Sequence, residues 1–455
     1  MASPRPIPSE DERLPLILGF QRIAENTAAN TRFIDHGKGI YVYDTDGREY
    51  IEATSSFYVA ALGYQHDELI DAIEAQYREL PFFVSGMNRT GKNSLDLAEQ
   101  LVEILPVNDA HIVYASSGSE ANDFLIKMLY FGAVARDKPN KRTIISRLGS
   151  YHGGTLGSAS LTGVHHEEFA LPLPGFRHIA QPDFHGERYA GESAAAYSAR
   201  MAAELRTVVE GEPDDSVAAF FAEPISFSAG FKVPPPGYFE ALTGVLNEHD
   251  IDFCIDEVVT GMGRTGNMFG AETLSLKPDH TVIAKGITSG YFPFSVIAIG
   301  RDLYDALEAG SDRVGTFAHA STMAAHPVGA AAALKMLEII KRDKLVEHGR
   351  RMGEQMAAGL NAFADHPLVG EIRAVGLGAA IDFLKRGDDD EKLNDDGDDI
   401  ALEVYQALMD AGVVGRPTGR SVVLAPPLIV QPDEIDEIVL RMGKALDTVL
   451  AQRGG

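Results

Sequence analysis

Five short apolar runs punctuate the middle of the chain, and stretches with helical spacing lie between them; this alternation limits the possible folds most. The runs are His111-Ile-Val-Tyr-Ala115, Arg142-Thr-Ile-Ile-Ser146, Val217-Ala-Ala-Phe-Phe-Ala222, Phe253-Cys-Ile-Asp256 and Thr281-Val-Ile-Ala284. Unbroken apolar runs suit strands buried on both faces, as in parallel sheets. After the first run, Ser119 to Phe131 carries apolar residues at 121, 124, 125, 128 and 129, the stripe of a helix. Strands alternating with helices predict an α/β domain with a mostly parallel sheet. In such a sheet the catalytic groups sit at the carboxyl ends of the strands.

With 455 residues the chain exceeds one ordinary domain. We expect an N-terminal segment over 1–60 that contributes to a small domain, a large domain over 61–330, and a C-terminal small domain over 331–455. Gly39 to Ile51 suggests two short strands around an Asp-Gly turn, and Val328 to Lys341 a long helix leading out of the large domain. Residues 1 to 12 read as a flexible tail with no apolar stretch, hence no signal peptide. Asp388 to Asp399 is strongly acidic but lacks the spacing of a calcium loop, so it reads as a solvated surface excursion.

Acidic residues number 66 against 40 basic ones, a formal charge of −26. A field of that sign repels phosphate backbones and anionic lipid, arguing against nucleic acid and membrane partners. A site for an anionic ligand must then supply its own positive charge. The single Cys254 cannot form an intrachain disulfide; with no 18-residue apolar stretch, this predicts a cytoplasmic protein with Cys254 as a core thiol.

Four local features could carry chemistry, and each has an ordinary structural explanation when taken alone. In Ala115-Ser-Ser-Gly-Ser-Glu-Ala-Asn-Asp123, Gly118 lets the backbone approach an anion, while Ser119 and a helix N-terminus supply donors. A capped helix start explains the same residues. Asp256 ends a buried run and needs a partner, either a protonated ring nitrogen or a buried arginine. Lys285 stands at another strand end, where a desolvated amine can be a Schiff-base nucleophile or a snorkelling cation. Tyr151-His-Gly-Gly154 offers a flat face with space beside it, or simply a turn. Together they specify one ligand: an anion cradle, a carboxylate for a cationic ring, an amine for an aldehyde, and an aromatic plate. A phosphorylated pyridine aldehyde has the complementary groups.

Other patterns carry less. Gly261-Met-Gly-Arg-Thr-Gly266 matches the dinucleotide-binding spacing, but no helical stripe follows it, as a nicotinamide site requires. His165 and His166 lack partners at metal-ligand spacing, and no metal is expected. Asn88-Arg-Thr90 matches a glycosylation triplet without a secretory context.

The order Ser117-Gly-Ser-Glu-Ala-Asn122, Tyr151-His-Gly153, Ala222-Glu-Pro224, Asp256-Glu-Val258, Lys285, then Thr322 before His326-Pro327 resembles the class III aminotransferases. The resemblance runs from about Phe33 to the C-terminus. It implies pyridoxal 5'-phosphate as cofactor and fold type I architecture, with a mostly parallel seven-stranded sheet in the large domain and a smaller α+β domain. It also implies a homodimer, or a dimer of dimers, with active sites at the interface. By the same resemblance Gly118 and Ser119 bind the phosphate, Tyr151 and Val258 cover the two ring faces, and Asp256 pairs with the ring nitrogen. Lys285 holds the cofactor and then shuttles the proton, and Thr322 reaches the phosphate of the neighbouring subunit. Glu223 matches a family carboxylate whose role stays open.

Gly415 to Pro427 is similar to the pyruvate-dependent omega-amine transaminases. There an arginine at the place of Arg416 binds the acceptor's carboxylate and swings out for an uncharged amine; the alternative is that Arg416, or Arg420, is a surface cation. Tyr58 stands where those enzymes often have Trp, and Phe20 is expected to line the same pocket. The resemblance therefore implies transfer of an amino group from an amine or omega-amino acid to a keto acid, with pyruvate expected, in two half-reactions. Decarboxylation or aminomutase chemistry on the same scaffold, and a nicotinamide oxidoreductase, are the rival readings.

Overall fold

The computed structural model describes residues 13–164, 167–387 and 391–454. The tail expected over 1–12, His165 and His166, and residues 388–390 of the acidic segment lie outside the described residues.

Strands β1 (Ile34–Lys38), β2 (Tyr41–Asp44) and β3 (Glu49–Ile51) form a small antiparallel sheet near the N-terminus. The central sheet comprises β4 (His111–Ala115), β5 (Thr143–Arg147), β6 (Phe176–Ile179), β7 (Val217–Ala222), β8 (Asp252–Asp256), β9 (His280–Ile283) and β10 (Ser295–Ile299). Its order is β4-β10-β9-β8-β7-β5-β6, and β10 runs antiparallel to both its neighbours. The remaining pairs are parallel. A third sheet, near the C-terminus, joins β11 (Glu371–Val375), β12 (Gly378–Asp382), β13 (Arg416–Thr418) and β14 (Ser421–Leu424) in the order β11-β12-β14-β13.

Every residue of β7, Val-Ala-Ala-Phe-Phe-Ala, is buried, because helices cover both faces of the central sheet. On one face the helices Gly118–Ala135 and Arg301–Val314 pack through Leu125, Leu129, Leu303 and Leu307. On the other, Ala194–Gly211 and Tyr238–Glu248 pack through Tyr197, Leu205, Leu242 and Leu246. Cys254 lies fully buried in the first of these cores, an ordinary core thiol whose ionisation burial pushes well upward.

The expected helix 328–341 runs from Pro327 to Arg342. Proline occupies its first turn, where a missing N–H costs nothing, and His326 Nδ1 accepts from Val328 N at 3.2 Å. Backbone bonds tie the N-terminal segment to the C-terminal one: Ile51 N to Gly412 O, Ala425 N to Ala53 O and Leu428 N to Ala61 O. No helix of the described residues is long and apolar enough to cross a membrane.

A buried ionic cluster joins the central sheet's connections to the C-terminal sheet. Asp382 on β12 is fully buried and contacts Arg420 at 2.8 Å, Arg373 at 3.1 Å and Lys232 at 3.2 Å. Asp183 binds Lys232 at 3.0 Å and Arg420 at 2.6 Å. These cations hold the Asp382 carboxyl well below the usual range against the opposing effect of burial. Removing one carboxylate from such a cluster strands buried positive charge. Asp382→Ala is therefore expected to cost about 3–5 kcal/mol of stability, read as an earlier unfolding transition by circular dichroism. A melting curve superimposable on that of the parent would contradict it.

Candidate active site

The carboxyl ends of the sheet strands open into one cavity of about 350 Å³, and the groups singled out in the sequence converge there. Gly118, Ser119, Tyr151, Asp256, Val258 and Lys285 all line it, together with Glu223.

After β4 the chain turns at once into the helix Gly118–Ala135. Ser117 caps that helix, its Oγ accepting from Glu120 N at 3.1 Å, and Glu120 reaches back to accept from Ser116 N and Oγ. The capping explanation is thus true of Ser117, while Ser119, whose Oγ accepts from Gly154 N at 3.1 Å, lines the cavity. The first helical bond runs from Ala121 N to Ser117 O, so the amides of Gly118 and Ser119 precede it, at the positive end of the helix. A Cβ on Gly118 would lie 3.1 Å from Val258 Cγ2, which explains the glycine. Gly153 is more constrained. With φ +141°, a Cβ there would meet the Ser119 Oγ at 2.6 Å.

Asp256 is buried at the end of β8. Its Oδ2 accepts from Asn122 Nδ2 at 3.0 Å and lies 2.9 Å from His152 Nδ1; its Oδ1 accepts from Val258 N at 2.9 Å. Among the described residues no arginine or lysine pairs with it within 4 Å, so the buried-arginine explanation fails. The arrangement suits a carboxylate that awaits a cationic group in the cavity.

Lys285 follows β9 with a positive φ of 47°, an uncommon conformation for a non-glycine residue. Burial lowers its amine from 10.5 to about 8; Asp256 and Glu223 oppose this and Arg416 assists it. Near neutrality a larger share of the amine is therefore uncharged than in a free lysine, as a nucleophile requires.

Three residues that the sequence left without a role hold this wall together. His152 and Asn122 clamp Asp256, and Arg147, fully buried, pairs with Glu223 at 3.0 Å. Glu223 also accepts from Tyr151 N at 3.2 Å and from Ser226 Oγ at 2.8 Å, fixing the aromatic plate from behind. A polar residue adjoining each motif was the available signal, but pairing across 76 positions is invisible in sequence.

The substrate-side expectations separate. Tyr58 is buried, its ring 5.7 Å from Lys285 Nζ and 5.0 Å from Phe227, and it is not among the residues lining the cavity. Phe20 is 74% exposed, outside the lining, and packs on Phe57 at 6.2 Å and Tyr151 at 6.3 Å. Phe57, missed in the sequence, lies beneath Arg416, whose guanidinium is 4.6 Å from its ring and 5.5 Å from that of Tyr58. Arg420 belongs to the Asp382 cluster instead. Thr322 is exposed and apart from this chain's cavity.

Residues Gly261 to Gly266 form buried turns and open no helix, so they offer no dinucleotide cradle. Their Arg264 instead donates to Leu377 O, Pro426 O and Ser55 Oγ.

The cavity fits pyridoxal phosphate on its own terms. Two amides free of helical partners and a serine hydroxyl stand at one end for a phosphate, and a carboxylate without an arginine or lysine partner stands for a pyridinium. An amine more readily deprotonated than a free lysine's serves the aldehyde. Fold and site thus define a pyridoxal-phosphate enzyme built on an α/β sheet.

Comparison with known proteins narrows this. Residues 23–446 match the family model for aminotransferase class-III. The chain is 37% identical to a vanillin aminotransferase of Capsicum frutescens, over 91% of this chain and 90% of that protein. It is 35% identical to a mitochondrial gamma aminobutyrate transaminase of Solanum lycopersicum, over 96% and 84%. Among solved structures, the omega transaminase from Pseudomonas jessenii in complex with PMP superimposes with a TM-score of 0.93 at 38% identity, covering 97% of this chain and 98% of that one. The chain belongs to the class III aminotransferases, which use pyridoxal phosphate.

Proposed function

We propose that this aminotransferase takes an amino group from an amine or omega-amino acid and delivers it to pyruvate. The observation that carries the reading is the convergence of Lys285 and Asp256 on one cavity, beside the Gly118–Ser119 helix start. Pyridoxal phosphate, when bound, supplies an aldehyde for the donor's nitrogen and a ring that accepts electron density from the bond being broken. Gly118 and Ser119 would hold its phosphate, Tyr151 and Val258 would bracket its ring, and Asp256 would keep the ring nitrogen protonated. Lys285 Nζ would hold the aldehyde until the donor's nitrogen replaces it, and would then be the base that carries the proton away from the donor carbon. The second half-reaction reverses these roles with the keto acid.

Arg416 supports the acceptor assignment. It is a half-buried guanidinium close enough to lower the Lys285 amine, and its fork suits a carboxylate. Arg416→Ala is expected to raise the KM for pyruvate about 10- to 100-fold. A donor panel with pyruvate fixed, read as alanine formed, tests the whole assignment. Failure of every donor while 2-oxoglutarate is consumed would overturn pyruvate as acceptor. The gamma aminobutyrate relative favours a donor whose amine is terminal.

The division into a 61–330 domain and a small domain built from 1–60 and 331–455 is our reading too, supported by the bonds between segments 51–61 and 412–428. So is a homodimer. Phe20, exposed against Tyr151 of the cavity lining, and Met323, exposed next to Thr322, present apolar surface, as an interface shared between two sites would. A cytoplasmic location accords with the lone buried thiol.

A further inference from the structure

Residues Ser55, Ser56, Phe57 and Tyr58 have φ values of 51°, 49°, 58° and 69°. Four consecutive non-glycine residues in the left-handed region are disfavoured at every step, so the surrounding structure must impose this turn. Two buried ionisable groups do so. Glu52 accepts from Thr54 Oγ1 at 2.6 Å, from Thr54 N at 3.1 Å, from Ser56 N, and from Tyr64 OH at 3.3 Å. On the other side Ser55 Oγ donates to Ala425 O at 2.6 Å and accepts from Arg264 Nη2 at 3.1 Å. Burial raises the Glu52 carboxyl while these donors oppose it.

The turn presents Phe57 and Tyr58 on adjoining faces. The Arg416 guanidinium rests 4.6 Å from one ring and 5.5 Å from the other, while the Tyr58 ring also faces Lys285 Nζ at 5.7 Å. A cation over two ring faces has a preferred seat. We propose that Glu52 is a positioning residue: it pins the left-handed turn so that Phe57 and Tyr58 seat Arg416 where a substrate carboxylate is bound. The turn thereby sets the preference of this site for carboxylate-bearing over uncharged carbonyl substrates. The inference rests on the reading of Arg416 given above.

Glu52→Gln puts an amide N–H against backbone N–H donors and loosens the turn without changing side-chain size. The expected result is a rise of about tenfold in the KM for pyruvate, the scale of a lost cation–ring seat. The KM for a straight-chain aldehyde lacking a carboxylate moves less than twofold, and kcat with pyruvate changes little. Glycine adopts left-handed backbone freely, so Glu52→Gln/Ser56→Gly recovers most of the pyruvate KM. If Glu52→Gln does not accumulate, Thr54→Val, which removes one donor, is read the same way with a smaller rise. Equal effects on both acceptors, no effect on either, or no recovery in the double variant would overturn the proposal. Arg416→Ala is run alongside. If that variant leaves the pyruvate KM unaltered, the reading of Arg416 has failed and the positioning role with it. If it raises the KM and Glu52→Gln does not, only the positioning role has failed.

Discussion

Lys285→Ala is expected to lower turnover by about 10⁴-fold, the upper end of what proton transfer by a placed side chain contributes. The side chain has two duties in the proposed reaction, attachment of the cofactor and movement of the proton, and no second amine is found among the residues lining the cavity. The cradle at Gly118 and Ser119 and the carboxylate of Asp256 remain, so the variant should still retain pyridoxal phosphate non-covalently. Borohydride treatment would then leave no label on the protein. pH supplies a second check. The amine is lowered to about 8, so its neutral form grows as pH rises, reaches half at that value and is nearly complete about one pH unit above it. Reloading of the stripped parent protein should therefore quicken from pH 6 to about 9 and then level off, with its half-point near 8. Turnover within tenfold of the parent would remove Lys285 from the mechanism.

Asp256→Asn is expected to reduce kcat on the order of 10²–10³-fold, the range seen when one preorganised electrostatic partner is removed from a dry site. Its amide cannot hold a proton on a facing ring nitrogen, and it sets one N–H against the donors of Asn122, His152 or Val258. An unmet buried donor costs about 1–3 kcal/mol, so some stability is lost as well. The two effects are separable. The melting transition shifts modestly while activity falls by orders of magnitude, and the cofactor's absorption spectrum changes at saturating concentration. A fall in kcat no larger than the loss of folded protein would reduce Asp256 to a structural carboxylate.

Much of this could be read from the chain before any coordinates. β4 and β7 coincide with the expected runs 111–115 and 217–222, and three other strands lie within one residue of theirs. Buried parallel strands announce themselves because both faces must be apolar. Phe176–Ile179 and Ser295–Ile299 escaped notice. The first interleaves Arg177 and His178 at the sheet edge, and the second lies in a Gly- and Ser-flanked run with no helix before it. β1, with one side open to solvent, carries no apolar pattern at all.

The cavity's inner wall was legible for the same reason. Gly118, Ser119, Tyr151, Asp256 and Lys285 each sit at or shortly after a strand end, so local spacing placed them at one edge of one sheet, whereas Val258 came only from the resemblance to the family. What the sequence could not show was which side chains meet across that edge. Nothing local tells Arg147 from a surface cation or Arg420 from Arg416; partners tens to hundreds of positions away make that distinction. The left-handed turn at Ser55–Tyr58 is the extreme case. Ser-Ser-Phe-Tyr has no glycine to signal it, and although Glu52 bonds to it locally, Arg264 and Ala425 reach it from hundreds of positions away. Sequence fixes what depends on near neighbours, because backbone geometry makes spacing a distance. Tertiary structure decides the rest, because a buried charge takes its meaning from whatever the fold brings against it.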